Sequence, residues 1–165
     1  MKILYFHGRK SSPKTRKAEH IRKRTTHDVF VPAYPSQEGE PAQTLPHCYE
    51  IAKNALLEYQ PDIVIGSSYG GGVLLKLVHE GLWTGPSLFL AGAGVRYGIT
   101  QKIPPQLPVL LIHGTQDKII PVEDSRILAA SSDKALLIEI NDDHSLASIS
   151  NGLLILAVRH LEQLS

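Results

Sequence analysis

The chain has 165 residues and a mass of 18.1 kDa, which is the size of one domain. Hydrophobic residues make up 42% of it, charged residues make up 20%, and there is one cysteine, so disordered, collagen-like and disulfide-stabilised proteins are excluded. The formal net charge of +1 excludes a nucleic-acid-binding protein that is basic throughout. We predict a single domain over residues 1–165.

The opening apolar run ends at His7, after too few residues for the core of a signal peptide. No later segment approaches the roughly 20 apolar residues of a membrane span. Together with the single cysteine, this pattern predicts a cytoplasmic protein that is not bound to a membrane.

Six short apolar runs, each bounded by Gly, Pro, Asp or Asn, predict buried β-strands. These runs are residues 3–7, 29–34, 62–66, 88–91, 109–113 and 135–140. Continuous apolar runs of this length are typical of parallel strands that are buried on both faces.

Three stretches between or after these runs have apolar residues at helical spacing, which predicts amphipathic or buried helices. They are residues 51–59, 73–78 and 149–161. Pro13 after Ser11 and Ser12 predicts the start of a first helix, and Ser145 is positioned to cap the last one. The alternation predicts an α/β fold with a doubly wound, mostly parallel sheet, in which ligands bind beyond the carboxyl ends of the strands.

The third predicted strand leads into Gly66-Ser67-Ser68-Tyr69-Gly70, a match to G-x-S-x-G that is followed by an apolar helical segment. In a strand–turn–helix setting this pattern is typical of a nucleophile elbow, a sharp turn that holds a serine hydroxyl out of the sheet. We interpret Ser68 as a candidate nucleophile and the Tyr69 N–H as an oxyanion donor at the helix N-terminus. A glycine- and serine-rich loop without chemistry is the structural alternative.

A serine nucleophile needs a base, and the base needs an acid that orients it. Asp117 lies four residues beyond the fifth predicted strand, and His144 follows the sixth strand just before the last helix. The pattern thus places three candidate residues at one edge of the sheet and predicts a catalytic triad of Ser68, Asp117 and His144. Asp142 and Asp143 are rival candidates for the acid, and a turn-forming Asp117 or an ordinary loop histidine are the structural alternatives.

The first predicted strand leads into His7 and Gly8, a turn that opens the first helix. Glycine would let the backbone approach the site, so we expect the N–H of Arg9, or of Lys10 in its place, to be the second oxyanion donor. A strand–helix turn that simply requires glycine is the alternative.

With these motifs the whole chain resembles a minimal α/β-hydrolase without a lid domain, and more narrowly the small YqiA-type bacterial esterases. The similarity also includes Ser11-Ser12-Pro13, Tyr34-Pro35 and Gly114-Thr115-Gln116-Asp117. The resemblance implies a serine esterase mechanism that needs no cofactor and is carried by Ser68, Asp117 and His144.

The chain departs from larger members of that fold. These have two more N-terminal strands and a lid, whereas residues 92–108 are too few for a helical lid. Arg9 stands where relatives often have an apolar or aromatic residue. Near the expected site, His7, Tyr34 and Tyr97 are candidates for substrate binding, with core packing as the alternative.

Other chemistries find weaker support. Cys48 lies where a helix begins rather than where a strand ends, so a thiol nucleophile is disfavoured. The eight histidines form no H-x-x-x-H pair with a carboxylate partner, so no metal site is predicted. The segment at residues 92–98 misses the dinucleotide fingerprint, which disfavours a nucleotide cofactor.

The first 30 residues carry nine Lys or Arg against two acidic residues, although the whole chain is nearly neutral. The basic segment at residues 9–24 is either a solvated helix face or a surface that attracts an anionic substrate or an acidic partner. The chain as a whole is expected to be a serine hydrolase, a carboxylesterase or thioesterase for small accessible substrates. The alternative function is a catalytically silent interaction module on the same fold.

Overall fold

The computed structural model describes residues 1–165, which form six strands, five α-helices and one short 3₁₀ helix. In chain order these are β1 (Lys2–Phe6), α1 (Arg16–Arg24), β2 (Asp28–Phe30), α2 (Pro41–Tyr59), β3 (Ile63–Ser67), α3 (Tyr69–His79), β4 (Ser87–Leu90), β5 (Val109–Gly114), α4 (Val122–Ala130), β6 (Ala135–Ile140), the 3₁₀ helix (Ala147–Asn151) and α5 (Leu153–Glu162). No helix is both long and apolar enough to cross a membrane.

The strands form a single sheet in the order β2-β1-β3-β4-β5-β6, and every neighbouring pair is parallel. Helices α1 and α5 cover one face, and α2, α3 and α4 cover the other. Along β1, Ile3 and Tyr5 pack into the first layer while Leu4 and Phe6 pack into the second. Burial on both faces explains why the strands read as continuous apolar runs, and the α/β class predicted from them is confirmed.

Strand β2 is shorter than the predicted run at residues 29–34, because it ends at Phe30. Pro32 follows and has no N–H to donate to a neighbouring strand. The link from β4 to β5 departs from strand–helix alternation, since residues 91–108 contain turns but no helix.

Two predicted helix starts are wrong. Helix α1 begins at Arg16 rather than near Pro13, because the Ser12 hydroxyl accepts a hydrogen bond from the Lys14 N–H at 3.3 Å and closes a separate turn. Ser145 does not cap the last helix: the 3₁₀ helix intervenes, and Gly152, with φ of 124°, separates it from α5.

The topology creates a crevice at the carboxyl ends of β1 and β3. From β1 the chain moves to β2 on one side, then crosses back so that β3 lies on the other side of β1. The loops that follow β1 and β3 therefore diverge, and such a switch point is where open α/β sheets bind ligands. Gly8 and Ser68 both lie in this crevice, and a Cβ on Gly8 would be 3.6 Å from the Ser68 Cβ.

Replacing Gly70 by alanine should disrupt the contact of α3 with β1. A Cβ at this position would lie 2.1 Å from the Phe6 carbonyl oxygen and 2.4 Å from its carbon, both of them backbone atoms of the sheet. We expect Gly70→Ala to lower the free energy of unfolding by about 3 kcal/mol or more, measured by urea denaturation. Gly8→Ala is the matched control, because its Cβ has ordinary contacts; equal stability of both variants would contradict the tight packing.

Candidate active site

Ser68 occupies a sharp turn between β3 and α3. Its backbone has φ of 51° and ψ of −114°, an uncommon conformation for a residue other than glycine. The turn is held because the Ser68 carbonyl accepts hydrogen bonds from the Gly71 N–H at 2.9 Å and the Ala93 N–H at 3.0 Å. Gly66 is required by the crossing of strand and helix, since a Cβ there would lie 2.6 Å from the Gly70 carbonyl oxygen.

The imidazole of His144 joins Ser68 to Asp117. Its Nε2 lies 2.8 Å from the Ser68 Oγ, and its Nδ1 lies 2.6 Å from the Asp117 Oδ2. Because the carboxylate accepts, Nδ1 carries the proton and Nε2 faces the serine hydroxyl as an acceptor. The three residues named from the sequence are thus connected, although they lie on three different loops.

Contacts between the loops after β5 and β6 bring Asp117 and His144 together. The Gln116 N–H donates to the Asp142 carbonyl at 3.0 Å. Gly114 permits this approach, because a Cβ there would lie 2.3 Å from the same carbonyl oxygen. The two loops consequently form one wall of the site.

Asp117 is a buried carboxylate with four hydrogen-bond donors. Its Oδ1 accepts from the N–H groups of Ile119 and Ile120 at 2.8 and 2.9 Å, and its Oδ2 accepts from His144 and, at 3.2 Å, from the His113 Nε2. Burial by itself raises the pKa of Asp117, but the hydrogen bonds outweigh it and hold the pKa below its usual value. The ionised form therefore stabilises the fold above about pH 4, and that stability is lost as the pH falls through the lowered pKa.

The two rival aspartates serve other purposes. The Asp142 Oδ2 accepts from the N–H and hydroxyl of Ser148 at 2.9 and 2.6 Å, and the Asp143 Oδ1 accepts from the Ser145 N–H at 2.8 Å. Neither carboxylate contacts the His144 ring. They shape the loop that carries the histidine, and Asp117 alone among the three candidates meets the ring.

The two expected oxyanion donors border Ser68. Tyr69 is the first residue of α3, and the N–H groups of a first helical turn have no partner in a preceding turn. The N–H of Arg9 makes no hydrogen bond to the protein, and its loop passes next to Ser68 through Gly8. The placement of both groups is compatible with binding a negatively charged oxygen, and their role stays a prediction.

A cavity of about 1020 Å³ opens beside Ser68 and His144, and Tyr97 contributes to its wall. His7 and Tyr34, the other candidates for substrate binding, lie elsewhere. Both are buried, their rings stack with centroids 4.2 Å apart, and the Tyr34 hydroxyl donates to the His7 carbonyl. These two residues pack in the core and do not line the cavity.

Cys48 is buried within α2 and packs in the core, and burial raises the pKa of its thiol. A thiol nucleophile needs exposure and a lowered pKa, so Cys48 has neither property. No cluster of three or more His, Cys, Asp or Glu side chains has an arrangement suited to a metal ion.

His113 is a buried residue whose role the sequence interpretation missed. Its Nε2 faces two acceptors, the Asp117 Oδ2 and the Ile120 carbonyl at 3.0 Å, so this nitrogen carries a proton. Its Nδ1 lies 2.7 Å from the Ser125 hydroxyl, which donates to it. A sequence signal for this role is the position of the histidine at the carboxyl end of β5, four residues before the candidate acid.

A model of an uncharacterised protein family (UPF0227) matches residues 2–77, which include the first strand, the crevice and the serine turn. No match to the sequence was found among curated proteins. The matched segment ends before Asp117 and His144, so the family model covers the nucleophile side of the site.

Solved structures match almost the whole chain. Alpha/beta hydrolase domain-containing protein 10 from mouse has 17% identity and a TM-score of 0.77 over 99% of this chain and 90% of its own. Est1E from Butyrivibrio proteoclasticus has 15% identity and a TM-score of 0.75 over 98% and 87% of the two chains. An alpha-beta serine hydrolase homologue from Coxiella burnetii has 12% identity and a TM-score of 0.70 over 98% and 85%. The chain therefore has the α/β-hydrolase fold, and the fold expected from the resemblance is confirmed.

Replacing His113 by leucine should destabilise the protein. The Ser125 hydroxyl and the Ile120 carbonyl would lose a buried partner, and Asp117 would lose one of its four donors. We expect a loss of about 2 kcal/mol or more in the free energy of unfolding. His47→Leu is the control, because His47 is exposed on α2 without a hydrogen bond and should change stability by less than about 0.5 kcal/mol. A His113→Leu effect no larger than the control's would contradict the anchoring role.

Proposed function

We propose that the chain is a serine hydrolase that cleaves carboxylic esters or thioesters of small, accessible substrates, with no cofactor. The observation that carries the proposal is the continuous hydrogen-bonded line from the Ser68 Oγ through His144 to the buried Asp117. The α/β-hydrolase fold supports it, since chains of this fold use a serine at the same strand–helix turn.

Acylation begins when the Ser68 Oγ attacks the carbonyl carbon of the substrate. The proton of the hydroxyl passes to the His144 Nε2, and a tetrahedral intermediate forms with a negatively charged oxygen. The bond from carbon to the leaving oxygen or sulfur then breaks, and the proton on Nε2 passes to the leaving atom. The product of this step is the free alcohol or thiol and an acyl group on Ser68.

Deacylation repeats the sequence with water. His144 takes a proton from the water, whose oxygen attacks the acyl carbon, and then returns the proton to the Ser68 Oγ as the ester bond breaks. Asp117 holds the imidazole with Nδ1–H toward itself in both steps and stabilises the positive charge that forms on the ring. Its lowered pKa serves this role because the carboxylate remains ionised.

The charge on the substrate oxygen is met by the N–H groups of Arg9 and Tyr69. Packing fixes the backbone on both sides of Ser68. Gly8, which precedes Arg9, packs against Ser68, and α3, which begins with Tyr69, packs against β1 through Gly70. Preorganised donors of this kind stabilise the transition state because they need not reorient as the charge develops.

The lining of the site indicates which acyl groups it can accept. The linker between β4 and β5 contains no helix and contributes only Tyr97 to the cavity wall, so the site has no helical lid. Apolar side chains near the nucleophile are few, chiefly Tyr97, Ile119 and Ile120. We infer that the site accepts short acyl groups more readily than long ones.

A fluorophosphonate tests the catalytic arrangement without knowledge of the substrate. Its phosphorus reacts quickly only with an activated serine, and its phosphoryl oxygen occupies the oxyanion site. We expect peptide mass spectrometry to locate the adduct on Ser68, with no labelling in Ser68→Ala and much slower labelling in His144→Ala. Failure of the folded protein to label would favour the interaction module, and an adduct on Cys48 would reject Ser68 as the nucleophile.

Replacing Asp117 by asparagine should lower kcat by about 10⁴-fold, because the amide favours the wrong imidazole tautomer toward Ser68. Asp143→Asn is the matched control, since Asp143 lies beside His144 in sequence but does not contact its ring. The control should keep most of the wild-type kcat, measured by hydrolysis of p-nitrophenyl acetate. A greater loss in Asp143→Asn than in Asp117→Asn would reject the assignment of the acid.

A further inference from the structure

The cavity beside Ser68 is strongly cationic. Its walls contain five basic side chains and no aspartate or glutamate. The five are Arg9, Lys10, Lys14, Arg16 and Lys17. Of the other fifteen lining residues seven are serine or threonine and five are apolar. A cavity that binds only neutral, apolar ester groups is expected to be lined mainly by apolar side chains, so this composition indicates a charged ligand.

Most of these cations have no partner in the protein. Arg9 donates to the Gly39 carbonyl at 2.7 Å and lies 3.4 Å from the Glu40 carboxylate, so its charge is partly balanced. Lys10, Lys14 and Arg16 form neither an ion pair nor a side-chain hydrogen bond, and all three are exposed. Three positive charges are therefore free to meet a ligand at the mouth of the site.

Lys17 connects this group to the wall that carries His144. Its Nζ donates to the Ser145 carbonyl at 2.6 Å. Burial lowers the pKa of Lys17, and the neighbouring Arg16 lowers it further, while Asp142 and Asp143 partly offset both effects. Burial is the largest cause of this lowered pKa, so it is the hydrogen bond to Ser145 that shows where the Lys17 ammonium lies.

The location of the cations relative to His144 indicates which part of the substrate they face. The leaving atom must receive a proton from the His144 Nε2, so the leaving group departs next to the histidine. From His144 the cavity lining continues to Ser145, Ala147 and Ser150, and Lys17, at the end of the basic stretch at residues 9–17, donates a hydrogen bond to the Ser145 carbonyl. A leaving group beside His144 therefore lies near this basic stretch.

We propose, on the basis of the serine hydrolase activity proposed above, that the preferred substrates are esters whose leaving alcohol carries a phosphate group. A phosphate monoester bears close to two negative charges and three acceptor oxygens, which matches several unpaired cations and adjacent hydroxyls. A single carboxylate would neutralise only one of the three free cations. The phosphate remains on the released alcohol, because only the carboxylic ester bond is broken.

The experiment compares three acyl esters of phenols on the wild-type protein, with the rate of each ester in the absence of protein subtracted. Phenyl acetate has a neutral leaving group, 4-acetoxyphenyl phosphate adds a phosphate to it, and monophenyl glutarate places a negative charge on the acyl group instead. We expect kcat/KM for the phosphate probe to exceed that for phenyl acetate by about tenfold or more, mainly through KM. Equal values, or a preference for the glutarate, would overturn the proposal.

Two charge-removing variants show whether the preference is local. The first is the double variant Lys14→Ala/Arg16→Ala. It should lower by about tenfold the ratio of kcat/KM for the phosphate probe to kcat/KM for phenyl acetate. Lys23→Ala with Arg24→Ala removes the same charge from the far end of α1, outside the cavity, and should keep the ratio. An equal fall in both double variants would mean that net charge, and not this site, causes the preference.

Salt gives a measurement that needs no variant. Raising the ionic strength from about 0.01 to 1 M shortens the Debye length from about 30 to 3 Å, so the phosphate-to-neutral ratio should fall toward one. A ratio that salt does not change would overturn the proposal. Failure of the proposed hydrolase function would give a different result from failure of the phosphate preference. In the first case the wild-type protein would not cleave even phenyl acetate in a Ser68-dependent manner.

Discussion

The close approach of helix α3 to strands β1 and β3 is the constraint on which the site depends. Two glycines make it possible, because a Cβ on Gly66 or Gly70 would lie within 2.6 Å of backbone atoms across the contact, and Gly71 is equally close to Gly92 in the loop after β4. With no room for a gradual turn, the chain passes from strand to helix in one residue, and Ser68 takes a positive φ. Such a conformation costs on the order of 1–3 kcal/mol and persists because the packing around it is fixed.

Burial of a charge imposes the second constraint. The Asp117 side chain has no exposed surface, and an ionised carboxylate in that position is tolerated only with a full set of donors. Two donors are backbone N–H groups of its own loop, and the other two are histidines, His144 and His113. The catalytic histidine of the proposed mechanism is therefore also part of what keeps the fold stable, and its orientation is set by the same contacts.

The sequence predicted the parts of this arrangement that local pattern determines. Apolar runs bounded by turn residues gave the six strands, and strand order placed Ser68, Asp117 and His144 at one edge of the sheet. Their mutual distances depend on how the loops after β5 and β6 meet, which no local pattern encodes. The part played by His113 was missed for the same reason, since its position four residues before Asp117 becomes informative only once the loop after β5 is known to fold back onto the strand end.

The sequence also did not predict which side chains face the site. The basic segment at residues 9–24 was visible as composition, but only the loop before α1 and the first two residues of that helix border the cavity. Likewise, His7 and Tyr34 follow strands at the correct edge, yet their rings stack on each other beneath the surface. Position along a strand predicts proximity to a site, whereas exposure within it depends on packing among neighbouring side chains.

Every step of the proposed mechanism passes through a covalent acyl group on Ser68, and this intermediate can be trapped. The protein would be mixed with p-nitrophenyl acetate, quenched in acid within the first turnover and digested for peptide mass spectrometry. We expect one acetyl group per chain, located on Ser68, and a burst of p-nitrophenol equal to the protein concentration, because this activated ester acylates the serine faster than water removes the acyl group. Steady release of p-nitrophenol with no acetylated peptide, or an acetyl group on another residue, would contradict it.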